Sequence, residues 1–267
     1  MSTAEKLRQA YEEKKYILAE LEKLKNDKQF LAQFKTPVEF TDWFKAFIDP
    51  LLSIQYQIGA WWIQNADVKN VISWLRQGVW NEWAANVVIT KSITEYRDLI
   101  DDEFFNVFAH QVSDEARHFY IRTKVLRMYG GSMEGFQPIK EWAQLFEWPL
   151  ACASKRLERP YFQAKFTGGF QTVELTATVQ HKGIVDHAYE NPDIWKEPYR
   201  RATEALVSFS REIEDDESFH WTIAERVWAK YAKTAEMRAE VLDCAVEALE
   251  LSTVAKIRRI EAAERAR

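Results

Sequence analysis

The residues best suited to chemistry form one short pattern that occurs twice. Asp114-Glu115-Ala116-Arg117-His118 and Asp216-Glu217-Ser218-Phe219-His220 both read Asp-Glu-x-x-His. Each lies deep inside a long stretch whose apolar residues recur with helical period. A Glu and a His three residues apart share one face of an α-helix. Each copy can therefore offer a carboxylate oxygen and an imidazole nitrogen to one metal ion. Two such copies, joined by one carboxylate from each of two further helices, make a dimetal centre inside a helical bundle.

Helix geometry selects the two missing carboxylates. In an antiparallel pair, residues equally far from the connecting turn are level. Glu115 falls roughly 14 residues past the turn near Asp101, and Glu82 lies about as far before it, whereas Glu95 is too close to the turn. Glu217 falls roughly 19 residues past Pro198, and Glu174 lies about 15 before the end of its helix near Tyr189. Asp186 is too near that end. Glu82 and Glu174 each interrupt an apolar or aromatic run, where an isolated acid is costly unless paired or metal-bound. The expected ligands are Glu82, Glu115, His118, Glu174, Glu217 and His220. Four carboxylates balance two divalent ions, and mixed oxygen and nitrogen donors suit two Fe ions or a Mn/Fe pair. Asp114 and Asp216 are placed to accept the outer N–H of the opposite motif's histidine, and Arg117 to neutralise that acidic layer. Trp80, Trp83, Phe119, Phe170, Phe219 and Trp221 are expected to wall an apolar pocket. His110, His181 and His187 read as ordinary core or surface residues.

The elements that must position these groups read as all-α. Gly and Pro are few, 8 and 7 in 267 residues, and most sit where helices should end. Residues 1–35 read as a peripheral amphipathic helix, 66–232 as a four-helix metal-binding core and 234–264 as a C-terminal helix, all in one domain over 1–267. Thr41 or Asp42 is expected to cap a helix that Asp49-Pro50 interrupts. Asn65-Ala66-Asp67 marks a turn, and Gly130-Gly131 ends the first motif's helix. Gly168-Gly169 is expected to precede a helix starting near Phe170. A net charge of −5 with scattered Lys and Arg gives no basic field for nucleic acid. No run approaches the roughly 18 apolar residues of a membrane span. Cys152 and Cys244 fit no metal or redox motif, and the N-terminus lacks a signal-peptide core, so the expectation is a reduced, cytoplasmic protein.

The order Glu, Glu-x-x-His, Glu, Glu-x-x-His, with the segments 108–118 and 216–220, resembles the ferritin-like di-iron carboxylate superfamily. Within it the resemblance is greatest to the catalytic hydroxylase subunits of bacterial multicomponent (methane-, toluene- and phenol-type) monooxygenases and related di-iron oxygenases, and it covers roughly residues 70–230. It implies a ferritin-like four-helix bundle with additional N- and C-terminal helices. It also implies a non-haem di-iron oxidoreductase that activates O2 to insert an oxygen atom into a small organic substrate, apolar or aromatic. Thr178, four residues after Glu174, occupies the position of the family's proton-relaying threonine. Homo- or hetero-oligomers are expected. The chain has neither a Gly-rich dinucleotide fingerprint nor a cysteine set for an iron–sulfur cluster, which implies an external reductase or ferredoxin. Phe219 and Val179 depart from the family, which has Arg and Asn there. Arg122 stands where ribonucleotide reductase small subunits carry their radical tyrosine. The alternatives are another di-iron oxidase (an N-oxygenase, aldehyde deformylase or rubrerythrin-like peroxidase) or a non-catalytic scaffold subunit of an oxygenase complex.

Overall fold

Capping residues and prolines set the helix starts in the computed structural model, which describes residues 2–265. Ser2 Oγ accepts from Glu5 N at 3.1 Å while the Glu5 carboxylate accepts from Ser2 N, a capping box that opens α1 (Thr3–Lys14). The single N-terminal helix expected from the sequence is three: α1, α2 (Tyr16–Leu24) and α3 (Lys28–Ala32). Thr36, not Thr41 or Asp42, caps α4 (Pro37–Asn65), with Pro37 in the first turn, where its missing N–H costs nothing. Asp67 Oδ1 accepts from Asn70 N at 2.8 Å and starts α5 (Val68–Glu95). The acids Asp102 and Glu103 occupy the first turn of α6 (Asp102–Met128), and Gly130, at φ 80°, lies just past its end. Then follow α7 (Lys140–Ala153), α8 (Arg159–His187), α9 (Arg200–Tyr231) and α10 (Ala235–Arg265). No strand occurs among the described residues.

Two expected breaks are absent. α4 runs through Pro50, and α8 runs from Arg159 through Gly168-Gly169 without starting afresh at Phe170. These glycines answer to packing instead. A β-carbon on Gly168 would stand 2.7 Å from the Val241 carbonyl of α10, and one on Gly169 would stand 3.1 Å from Pro149 of α7. A second close crossing joins α4 to α8. There a β-carbon on Gly59 would lie 2.0 Å from the Gln180 carbonyl, and one on Gly183 would lie 2.2 Å from that of Tyr56.

The short turn at Arg97–Leu99 folds α6 back onto α5; α8 packs on α9, and α6 packs on α9. α5 and α8 have no extensive contact. α4, α7 and α10 all pack on α8. Phe162, Phe166 and Phe170, one turn apart on α8, are fully buried with ring centroids 6.3 and 5.6 Å apart. Burial of each contributes about 1.5–3 kcal/mol to holding α8 in place. No described helix is long and apolar enough to cross a membrane. Cys152 of α7 and Cys244 of α10 form a disulfide, with Cα atoms 6.1 Å apart. This corrects the reading of both as reduced thiols: they are 92 residues apart in sequence, and only the packing of α7 on α10 brings them together.

Candidate metal centre

Each of the four central helices turns one acid inward at the same level. Glu82 comes from α5, Glu115 and His118 from α6, Glu174 from α8, and Glu217 and His220 from α9. All six are at most 6% exposed. They fall into two groups whose offered atoms lie within 4.8 Å of one another: Glu82, Glu115 and His118, and Glu115, Glu174, Glu217 and His220. Glu115 belongs to both. Its Oε2 lies 3.8 Å from His118 Nδ1, and its Oε1 lies 3.7 Å from His220 Nδ1. The rejected acids lie elsewhere. Glu95 is exposed, and Asp186 pairs with Lys182 and Tyr56 at the surface.

The two motifs brace each other crosswise. His118 Nε2 donates to Asp216 Oδ2 at 2.9 Å, and His220 Nε2 donates to Asp114 Oδ2 at 3.2 Å. An ionised carboxylate only accepts, so each Nε2 carries the proton and each Nδ1 faces the cluster. Arg117 Nη2 spans the braces, 2.7 Å from Asp216 Oδ2 and 3.3 Å from Asp114 Oδ1, and the same guanidinium pairs with Glu212. Burial opposes charge on Asp216, but His118 and Arg117 outweigh it and hold the acid down at about 2.

The inward groups are strained electrostatically as protein groups alone. Burial lifts Glu82 to about 7, against the pull of Arg122, and lifts Glu217 to about 8. Burial and then the neighbouring Glu217 hold Glu174 well above the ordinary range. Burial pushes Glu115 upward too, but His118 and His220 outweigh it and leave this acid below its usual value. Burial disfavours charge on His118, yet the Asp216 hydrogen bond and Glu115 push it up to about 11. Two buried atoms in the cluster, Glu115 Oε1 and His118 Nδ1, have no hydrogen-bond partner among the described residues. Both are donor atoms that divalent ions take. Four carboxylates against two doubly charged cations also give a neutral set. The residues fit a metal pair.

Other expected placements differ. Thr178 is half-buried, donates to the Glu174 carbonyl of its own helix at 3.1 Å, and does not line the cavity beside the cluster. Nor do the six aromatics expected to form a pocket. Trp83, Phe119 and Phe219 are 51%, 38% and 43% exposed; Trp80 packs on Phe146, and Phe170 and Trp221 are core. For Trp83, Phe119, Phe219 and Trp221 the reason is helical: each is adjacent to a ligand in sequence and so points about 100° away from it, at 3.6 residues per turn. The cavity, of about 70 Å³, is walled instead by Trp62, Trp74, Trp142 and Phe146 among its aromatics, and it reaches Glu82, Glu115, Glu174 and Glu217.

Several participants escaped the sequence reading. Gln171 donates to Gln111 at 2.9 Å, and Gln111 donates to Glu174 Oε1 at 3.3 Å, a fully buried amide chain that orients this acid. Arg122 Nη2 pairs with Glu82 Oε1 at 2.8 Å, and its guanidinium lies 5.1 Å from the ring centroids of both Trp74 and Phe209. Gln111 and Arg122 stand four residues from Glu115 and His118 on the same face of α6, a spacing that carried the signal. Lys256 and Arg259 of α10 also line the cavity. No protein-family model, curated protein or solved structure matches the chain.

Proposed function

We propose that the chain is a non-haem dimetal oxidoreductase of the ferritin-like carboxylate type, an oxygenase acting on a small organic substrate with electrons from a separate reductase or ferredoxin. One observation carries the reading. Glu115 turns one oxygen toward each of two histidines whose outer nitrogens are held by crossed aspartates. A structural salt-bridge network needs neither a carboxylate shared between two ligand groups nor an imidazole nitrogen turned into each group. A dimetal centre needs both.

Glu82, Glu115 and His118 would hold one ion, and Glu115, Glu174, Glu217 and His220 the other. At such a centre a redox-active pair supplies the activation of O2. The chain's own residues do the rest. Asp114 and Asp216 fix the histidine tautomers, and Gln111 holds Glu174 in one rotamer. The aromatic walls exclude bulk water from the cavity, and substrate entering it comes against the four acids.

The test is metal content followed by turnover. Protein expressed in iron-replete medium is expected to carry about two Fe per chain. Supplied with a reductase and labelled O2, it should place label in product. Protein that takes up no metal would be a scaffold. Consumption of peroxide with no labelled product would make it a peroxidase.

A further inference from the structure

The cavity beside the cluster is lined by more basic groups than an apolar substrate needs. Arg122, Lys256 and Arg259 all line it, from α6 and α10. Lys256 is 4% exposed, and its ammonium donates only to the carbonyl and hydroxyl of Thr176, at 3.2 and 3.1 Å. Arg259, three residues on and therefore on the same face of α10, donates to the Ser73 carbonyl. Neither makes an ion pair with any described acid. Arg122 is paired, with Glu82.

The nearby acids do not balance these cations once their own role is considered. This step rests on the dimetal reading: two divalent ions use up the four negative charges of Glu82, Glu115, Glu174 and Glu217. Arg122 then shares its one acid with an ion, and Lys256 and Arg259, basic groups along the same small cavity, have no acid of their own. A buried, unpaired cation costs several kcal/mol in general, and such sites persist where a ligand repays the cost. The uncharged groups lean the same way. Arg122 Nε, Trp142 Nε1 and His181 Nδ1 are buried on the cavity wall with no partner among the described residues. Arg122 Nη2, a donor, faces His181 Nε2 at 3.4 Å, so Nε2 accepts and Nδ1 carries the ring proton. All three orphaned atoms are donors. An apolar guest would leave them unsatisfied; an acceptor-rich guest answers them.

We infer that the substrate is a small organic acid whose carboxylate is held by Lys256 and Arg259, with its carbon body directed at the four-glutamate cluster. Arg259 is half-buried and Lys256 is buried, so the acid is met at the rim and drawn inward. About 70 Å³ is room for roughly five waters at 10–15 Å³ each, which sets the scale at a short-chain or single-ring acid. Trp62, Trp74 and Phe146 would pack its apolar part.

Calorimetric titration of the iron-loaded protein with butyrate and benzoate, against butyramide and benzamide, tests this. The acids should bind at least tenfold tighter than the amides of the same shape. Lys256→Met and Arg259→Gln should each remove most of that preference while leaving amide binding and iron content unchanged. Arg259 is partly exposed, so its variant keeps the test valid if burying Met at 256 harms folding. Inorganic phosphate is titrated in parallel. Phosphate binding tighter than either acid would overturn the carboxylate assignment in favour of a phosphate ester. Equal affinity for acids and amides overturns the inference outright. Iron is assayed on the same samples, so protein with two Fe and no acid preference refutes the substrate class alone, whereas protein without iron refutes the dimetal reading.

Discussion

Removing Glu115 should cost both metal ions, and removing Glu82 should cost only one. Glu115 is the one acid common to the two ligand groups; Glu82 belongs to one of them. Glu115→Ala therefore strips a donor from each ion, while Glu82→Ala leaves Glu115, Glu174, Glu217 and His220 intact. The size of the effect follows from linkage. An ion present at 100 times its dissociation constant stabilises the fold by about 2.7 kcal/mol, so two contribute about 5 kcal/mol. At roughly 2 °C per kcal/mol for a chain of this length, loading should raise the melting temperature by about 10 °C. Glu82→Ala should keep about half of that rise and Glu115→Ala almost none. Calorimetric scans of chelator-treated and metal-loaded samples measure the rise itself, so any change in intrinsic stability cancels. Elemental analysis should give about two, one and zero ions for wild type, Glu82→Ala and Glu115→Ala. Equal losses in the two variants would refute the assignment of Glu115 to both ligand groups.

Further outcomes follow from the same geometry. Asp216→Asn replaces the carboxylate that holds His118 and Arg117, and it should weaken metal affinity by about 10–100-fold in a chelator competition; an unchanged affinity would remove the brace from the account. In metal-free protein, Glu82, Glu217 and His118, raised to about 7, 8 and 11, hold protons that the unfolded chain has lost. Stability should therefore fall as pH rises from about 5 to 9, by up to about 1.4 kcal/mol per pH unit for each proton held. Melting temperatures of chelated protein across that range check the sign. Metal binding should release protons over the same range, because the ions displace them. Gly59→Ala puts a β-carbon against the Gln180 carbonyl and should cost about 1–3 kcal/mol, read as a lower denaturation midpoint with metal stoichiometry unchanged.

The candidate ligands were legible because a helix writes its faces into the sequence. Glu115 and His118, or Glu217 and His220, need only the three-residue spacing to share a face. Glu82 and Glu174 need only distance from a turn, which antiparallel helices preserve. What lay outside the sequence depends on how helices cross. Nothing in the spacing puts Lys256 and Arg259 beside Glu174, because α10 reaches the site by packing on α8 at the bare backbone of Gly168. The same glycines read as a helix start, since a glycine pair looks alike whether it ends a helix or admits a neighbour. The aromatic wall was misassigned by closeness in sequence: Trp83, Phe119 and Phe219 touch the ligand positions in the chain and point away from them in space. The N-terminal segment folds into three helices because Lys15 ends α1, its N–H bonding the Glu12 carbonyl, and Asp27 caps α3, details too local for the apolar stripe to reveal.

The shared glutamate joins two unequal seats. One seat has Glu115, Glu174, Glu217 and His220. The other has only Glu82, Glu115 and His118, and Glu82 already answers Arg122 at 2.8 Å. An ion approaching the poorer seat must compete with a guanidinium clamped between two aromatic rings. On the proposed dimetal reading, two such seats would fill in sequence, the richer first and the contested one late. The final composition would then record the order in which metals were met. Protein offered one metal and then another would end as a hybrid, with Arg122 guarding the second place.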